Sequence, residues 1–229
     1  MTYHKTYIIS LGGSLVVTQQ GIDWRLLKKF RQLILAELKQ KKKFFLIVGG
    51  GKTSRNYVAA ADKIIKVTAD DLDWLGIHAT RLNAHLLRTI FRKQAHPEII
   101  TNPTKPLIAR EKIVISGGWR PGWSTDYVAT MLAEKYRIKT IINLSNIDYV
   151  CDKDPNKFAD AKKQRQISWP SFRKLVGNRW DPGLNAPFDP IAAKKAQALG
   201  LEVAIMNGKN IKNLQNYLAG KKFKGTIIK

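Results

Sequence analysis

Three short apolar runs, each ending in a cluster of glycines, constrain this chain more than any other feature. They are Tyr7-Ile8-Ile9-Ser10-Leu11 before Gly12-Gly13-Ser14, Phe44 to Val48 before Gly49-Gly50-Gly51, and Ile113 to Ser116 before Gly117-Gly118. A continuous apolar run of this length suits a strand buried on both faces, as in a parallel sheet covered by helices. Helical patterns separate the runs. Leu26, Leu27, Phe30, Leu33, Ile34 and Leu38 recur at helical spacing behind Asp23, a good capping residue. Leu75, Ala79, Leu82, Leu86 and Ile90 predict a long helix that stops before Pro97, and Val128, Met131, Leu132 and Tyr136 follow a helix start at Thr125 or Asp126. Thr140 to Leu144 and Glu202 to Met206 predict two later strands, and residues 146–190, rich in Asp, Pro, Asn and Gly, read as a loop-bearing insertion. Strands alternating with crossover helices predict one compact α/β domain with a mainly parallel sheet.

Composition excludes several classes. With 44% hydrophobic and 25% charged residues the chain has the make-up of a folded protein. The lone cysteine, Cys151, excludes an internal disulfide framework, and no Cys/His spacing supports zinc. No apolar run approaches the roughly 18 residues of a membrane span, and no apolar segment follows Met1 to Lys5 as in a signal peptide, so the expected location is cytoplasmic. The charge is lopsided: 40 Lys+Arg against 17 Asp+Glu give +23. Such a surface attracts nucleic acid nonspecifically, yet Lys28, Lys29, Lys41, Lys42, Lys43, Lys194 and Lys195 read as solvated helix faces, and that plainer reading is favoured.

The glycines point to phosphate. In an open parallel sheet, ligands gather at the carboxyl ends of strands, where glycine lets backbone N–H groups approach an oxyanion and helix dipoles favour negative charge. The common phosphate motifs do not fit. The Gly-Gly-Gly-Lys-Thr at 49–53 lacks the upstream glycine of a P-loop, since position 46 is Leu, and no G-x-G-x-x-G follows a strand.

Taken together, Leu-Gly-Gly-Ser-Leu at 11–15, Val-Gly-Gly-Gly-Lys-x-x-Arg at 48–55, Asp73-x-x-Gly76-Ile77-x-Ala79-Thr80-Arg81-x-Asn83-Ala84, Gly117-Gly118-x-x-Pro121-Gly122-x-x-Thr125-Asp126, Asn146-Ile147-Asp148-x-Val150-x-x-Lys153-Asp154-Pro155 and Asp189-Pro190-x-Ala192-Ala193 resemble the amino acid kinase superfamily, most closely its archaeal-type uridylate (UMP) kinases. The blocks follow the family's order over nearly the whole chain. The resemblance implies a three-layer αβα sandwich, one domain over 1–229, with an acceptor-binding lobe over roughly 1–110 and an ATP-binding lobe over 111–229. It further implies ATP contacts at Ser10, Gly12, Gly13, Ser14, Gly51, Arg55, Ser145, Asn146, Cys151 and Asp154. Acceptor contacts fall at Gly50, at Asp73 for the ribose hydroxyls, and at Gly118, Trp119, Arg120, Pro121, Gly122, Trp123, Ser124 and Thr125. Asp126 matches an organising acid beside the active site.

By the same resemblance the activity is transfer of the ATP γ-phosphoryl group to UMP, with Mg²⁺ accompanying ATP, no protein metal ligands, and a homohexamer as the assembly. The chain departs from the pattern in three places. Ser10 stands where many members carry a lysine, which leaves Lys52 as a candidate catalytic cation or a solvated helix-start residue. Tyr149 and Cys151 occupy the adenine segment where a glycine and an aromatic are usual, and Trp119 and Trp123 are bulky for the acceptor loop, either as base-stacking rings or as packing. His4, His78, His85 and His96 form no nucleophile or ligand pattern and read as structural; Ser14 and Ser124 have no paired base. The alternatives are a kinase of this fold for another acidic or phosphorylated acceptor, and a non-catalytic nucleotide-binding or storage protein.

Overall fold

A computed structural model of the chain describes residues 5–155, 157–179 and 186–229; His4 lies outside them. In chain order the elements are β1 (Lys5–Leu11), α1 (Gly13–Val16), β2 (Val17–Thr18), β3 (Gly21–Ile22), α2 (Trp24–Lys39), β4 (Lys42–Val48), α3 (Gly51–Asp62), α4 (Ala69–Ile90), β5 (Ile113–Ser116), α5 (Thr125–Lys135), β6 (Thr140–Ser145), β7 (Val150–Cys151), β8 (Lys163–Gln164), β9 (Gln166–Ile167), α6 (Trp169–Val176), α7 (Pro190–Ala198), β10 (Glu202–Asn207), α8 (Ile211–Leu218) and β11 (Thr226–Ile228). Among the described residues the main sheet has seven strands in the order β5-β4-β1-β6-β10-β11-β9. The first five are mutually parallel, and β11 runs antiparallel to β10.

Side chains divide strictly by parity, as a pleated strand requires. Ile9, Leu11, Leu46, Val48, Ile115, Leu144 and Met206 face one core with α2, α4 and α8. Ile8, Phe45, Ile47, Val114, Ile141 and Ile205 face the other with α5, α6 and α7. The expected three-layer αβα architecture with a mainly parallel sheet is therefore what forms. Asp23 caps α2 as its position suggested, accepting the Leu26 amide at 2.9 Å.

Three expectations need correction. The long helix α4 forms, but its buried stripe is Ile77, Ala79, Thr80, Asn83, Ala84 and Leu87, while Leu82 is 63% exposed. The polar Thr80 and Asn83 are drawn inward by backbone partners in the site, which rotates the helix away from its purely apolar reading. Lys41, Lys42 and Lys43 are not on a helix face. Lys41 takes a left-handed turn conformation (φ 56°), Lys42 pairs with Glu37, and Lys43 donates to the Ala109 carbonyl at 3.0 Å from within β4. The segment 146–190 carries loops but also α6 and β9, and β9 extends the main sheet by pairing with β11.

Phe30, buried and edge-on to Phe91 with centroids 6.3 Å apart, links α2 to the end of α4. Phe30→Ala is expected to cost about 3–5 kcal/mol in urea unfolding, whereas Lys28→Ala on the exposed face of the same helix should change stability by less than about 0.5 kcal/mol.

Candidate functional site

The three glycine-ended strands, β5, β4 and β1, are consecutive neighbours, so their loops meet at one edge of the sheet. Two of these loops touch backbone to backbone. A Cβ built on Gly13 would lie 2.1 Å from the Gly51 nitrogen and 2.5 Å from the Gly49 carbonyl carbon; one on Gly51 would lie 2.2 Å from the Gly13 oxygen. Gly51 also needs its positive φ of 64° to start α3. Gly12 donates to Leu144 O (2.8 Å) and Gly49 to Leu11 O (3.0 Å), which seats both loops on the ends of β6 and β1.

α4 holds the rest. Buried Asn83 donates its amide to Gly49 O (2.8 Å) and Gly50 O (3.1 Å). Thr80 accepts the Gly118 amide (2.6 Å), and Arg81 donates to Gly118 O (3.2 Å) and Trp119 O (2.8 Å). About two helical turns before Thr80, Asp73 accepts the Gly122 amide at 2.7 Å; Gly122 has φ 82°. One helix thus positions the triple-glycine loop and the loop from Gly117 to Thr125. Within the latter, Trp119 stacks on Trp123 (6.2 Å), Trp123 on Tyr127 (4.1 Å), and the exposed Arg120 guanidinium sits 4.2 Å from the Trp119 ring centre. The tryptophans pack on their own scaffold. Pro121 lies between them, and Ser124 caps α5 by accepting the Tyr127 amide (3.1 Å), leaving Thr125 as its first residue.

Between β1 and α5 lies a carboxylate centre. Asp126 accepts from the Ser10 hydroxyl (3.0 Å), the Asn143 amide group (3.2 Å) and the Asp189 backbone amide (3.3 Å). Asp189 caps α7 through the Ala192 amide (2.6 Å). Burial, joined by the nearby Asp189 carboxylate, pushes the Asp126 pKa up to about 7, against the Ser10 and Asp189 hydrogen bonds that favour its ionised form. Burial also raises Asp189 despite its hydrogen bonds to Ala192, Ser124 and Ile191. Asp73 is raised too, by burial first and by Asp70 last, with the Gly122 amide opposing.

A cavity of about 690 Å³ opens beside these loops, lined by residues including Ser14, Gln20, Arg25, Arg55, Asn146 and Lys209. It brings together three of the residues expected to bind ATP: Ser14, Arg55 and Asn146. Ser145 ends β6 and accepts the Gly208 amide (2.9 Å), while Cys151 in β7 and Asp154 in the following loop do not line the cavity. Tyr149 carries the Lys163 ammonium 5.9 Å from its ring. Lys52, at the start of α3, does not line the cavity either. Of the histidines, His96 pairs with Glu111 at 2.9 Å, a structural use. Sequence reading passed over Asn143, Thr80, Arg81, Asn83 and Asp189 as site residues. Four of them sat inside quoted motif blocks, and Asn143 was signalled only as a polar side chain amid an apolar strand.

The sequence profile described as the amino acid kinase family matches residues 5–207. The chain is 34% identical over 228 residues to a uridylate kinase of Methanospirillum hungatei, covering 97% of this chain and 94% of that protein. It is 33% identical to one of Thermoplasma volcanium, covering 95% of each. Its fold matches the crystal structure of uridylate kinase from Archaeoglobus fulgidus with a TM-score of 0.81 at 28% identity, over 97% of this chain and 99% of that one. UMP kinase from Bacillus anthracis shares the fold at a TM-score of 0.78 and 19% identity, covering 99% of this chain and 96% of that one.

The Asp126 centre has a pH signature. Its folded pKa of about 7 lies above the ordinary 3.8, so between those values the native chain keeps a proton that the unfolded chain releases. Its contribution to stability is therefore full below about pH 4 and declines as pH rises towards 7. Asp126→Asn, which stays neutral, is expected to gain urea stability over the native chain at pH 8 and to gain much less at pH 4.5. An equal difference at both values would remove the shift.

Proposed function

The chain belongs to the amino acid kinase family, and we propose that it is an ATP-dependent UMP kinase, forming UDP and ADP for pyrimidine nucleotide synthesis. The observation that carries this reading is the junction of two bare glycine loops on adjacent parallel strands, flanked by a third loop clasped to Asp73. That junction offers backbone donors to phosphates on both sides of one point, as a transfer between two nucleotides needs. Full-length similarity to uridylate kinases supports the choice of acceptor.

In this reading a phosphate oxygen of UMP attacks the γ-phosphorus in line. The new P–O bond forms as the bond to the β-phosphate oxygen breaks, and ADP leaves with that electron pair. The nucleophile is already ionised, so the protein's task is positioning and charge neutralisation. Gly13, Ser14 and Gly51 present amides to the donor phosphates, Gly12 lets them approach while its own amide stays on Leu144 O, Arg55 adds charge from the cavity wall, and Ser10 is held beside them by Asp126. Ser145, Asn146, Cys151 and Asp154 flank the adenosine. Gly50 and the loop Gly118, Trp119, Arg120, Pro121, Gly122, Trp123, Ser124 and Thr125 enclose UMP, with Asp73 accepting from its ribose. Lys52 is retained as a cation near the transferred group. The division into an acceptor lobe over roughly 1–110 and an ATP lobe over 111–229 belongs to this reading, with the chain returning to the acceptor side at β5.

Mg²⁺ fits the residues present. The oxygen donors at the site are Asp126 and Asp189, suited to a hard cation, and among the described residues no cluster of three or more His, Cys, Asp or Glu completes a metal cage. Phosphates and water would hold the ion, with the two carboxylates attracting it by charge rather than as ligands, and it would supply charge neutralisation on the donor phosphates. Among the described residues no helix is long and apolar enough to cross a membrane, and a cytoplasmic location suits these substrates. Tyr57, Trp74 and Leu82 on α3 and α4, with Ile64 and Ile65 just beyond α3, leave large apolar surface exposed. Such exposed apolar surface supports a homo-oligomer in which a second copy would cover it, and family resemblance suggests a hexamer.

ADP release measured with UMP, CMP and isopentenyl phosphate as acceptors tests the reading, and absence of UMP-dependent turnover refutes it. Asp73→Asn should raise the KM for UMP by roughly 10-fold or more, from loss of charge-assisted hydrogen bonds, with the KM for ATP nearly unchanged. Asp126→Asn should lower kcat by roughly 10-fold or more; an unchanged kcat would remove it from the site.

A further inference from the structure

A second cavity, of about 540 Å³, shares Lys209 with the first and is lined by Lys29, Asp148, Asn207, Lys209, Asn210, Ile211, Lys212 and Lys224. Four of these eight residues are lysines, against 40 Lys+Arg in the 229-residue chain, so the concentration exceeds what the overall basicity supplies. The lysines come from separate segments: Lys29 from α2, Lys209 and Lys212 from the loop and first turn after β10, and Lys224 from the run into β11. None of their ammonium groups forms an ion pair among the described residues; Lys212 only donates to Gln215 at 3.1 Å.

Two of the four are held by built backbone clasps. Buried Asn213 donates to Lys224 O (2.7 Å) and accepts from Lys224 N (2.7 Å), fixing that residue in both directions. Lys209 N donates to the Asn207 side chain (3.0 Å), and the preceding Gly208 donates to Ser145 O (2.9 Å). A Cβ on Gly208 would lie 2.3 Å from a Leu15 methyl carbon, so a side chain there would displace Leu15 of α1. Gathering four like charges around one concavity raises their mutual repulsion, and the one carboxylate in its lining, Asp148, offsets only part of that charge, leaving a net positive cavity that an anion would neutralise.

We propose that this lysine-lined cavity is a binding site for a phosphate chain, inorganic tripolyphosphate or the tail of a second nucleoside triphosphate. It is separate from the path of the transferred group. Because Lys209 lines both cavities, an occupant shares its charge with the donor site, and each ligand weakens the other. The sharing rests on the donor site proposed above, but the anion site itself does not.

The test is calorimetric titration of the full chain with sodium tripolyphosphate, with and without a saturating non-hydrolysable ATP analogue, followed by ATP as the titrant. One tripolyphosphate per chain is expected to bind with the analogue present, several-fold more weakly than in its absence. Lys212→Gln with Lys224→Gln should cut that affinity 10-fold or more while leaving kcat and the KM for ATP unchanged. A nucleoside triphosphate as the natural occupant would show as a second ATP equivalent lost in the same variant; tripolyphosphate binding alone would assign the site to the free anion. Complete displacement by the analogue overturns the proposal. So does an equal loss in the control Lys93→Gln with Lys194→Gln, which would reduce the binding to nonspecific attraction. Binding is read without turnover, so it stands or falls independently of the acceptor assignment.

Discussion

The contact on which the site depends is that of Gly13 with Gly49 and Gly51, main chain on main chain with no side chain between. Strand spacing alone brings the ends of β1 and β4 near one another, but not their loops into van der Waals contact; that requires three absent Cβ atoms and one positive φ. Once the contact is made, the starts of α1 and α3 are forced together and their amides share one small region. The buried amide of Asn83 secures the carbonyls of the same loop while Leu11 O takes the Gly49 amide, so the loop is held from both sides.

The cost of this arrangement falls on the carboxylates. Asp126 and Asp189 are brought close without a cation between them among the described groups, and the centre is stabilised by dipoles: a hydroxyl, a side-chain amide and a backbone amide. Such dipoles favour the ionised form only in part, which is why burial prevails and Asp126 titrates near neutrality.

Much of this could be read from the chain. Five of the main strands and the glycine loops at their ends were legible because an apolar run followed by glycine has few other uses in a parallel sheet. The face of α4 was not. Periodicity counts apolar residues, and here Thr80 and Asn83 turn inward to serve loops distant in sequence, leaving Leu82 outside. β9 escaped notice because two residues carry no alternation, and its pairing with β11 depends on a partner some sixty residues later. Lys42 and Lys43 looked like solvent residues because a charge run gives no hint that a strand continues through it. The site was legible at its glycines and carboxylates, and illegible in Asn143, whose role appears only when β6 lies beside β1.

The hydrogen bond from the Gly122 amide makes Asp73 a latch on its loop, and the proposed function makes the same side chain a reader. A carboxylate has two oxygens, and the loop takes one of them. On the proposed reading an arriving ribose competes with, or completes, a contact that already exists, so the empty pocket is a near copy of the filled one. Little of the binding free energy then goes into organising the loop. An acceptor lacking the vicinal hydroxyls would meet a pocket that is already fastened shut by its own backbone, and discrimination would precede any movement of the chain.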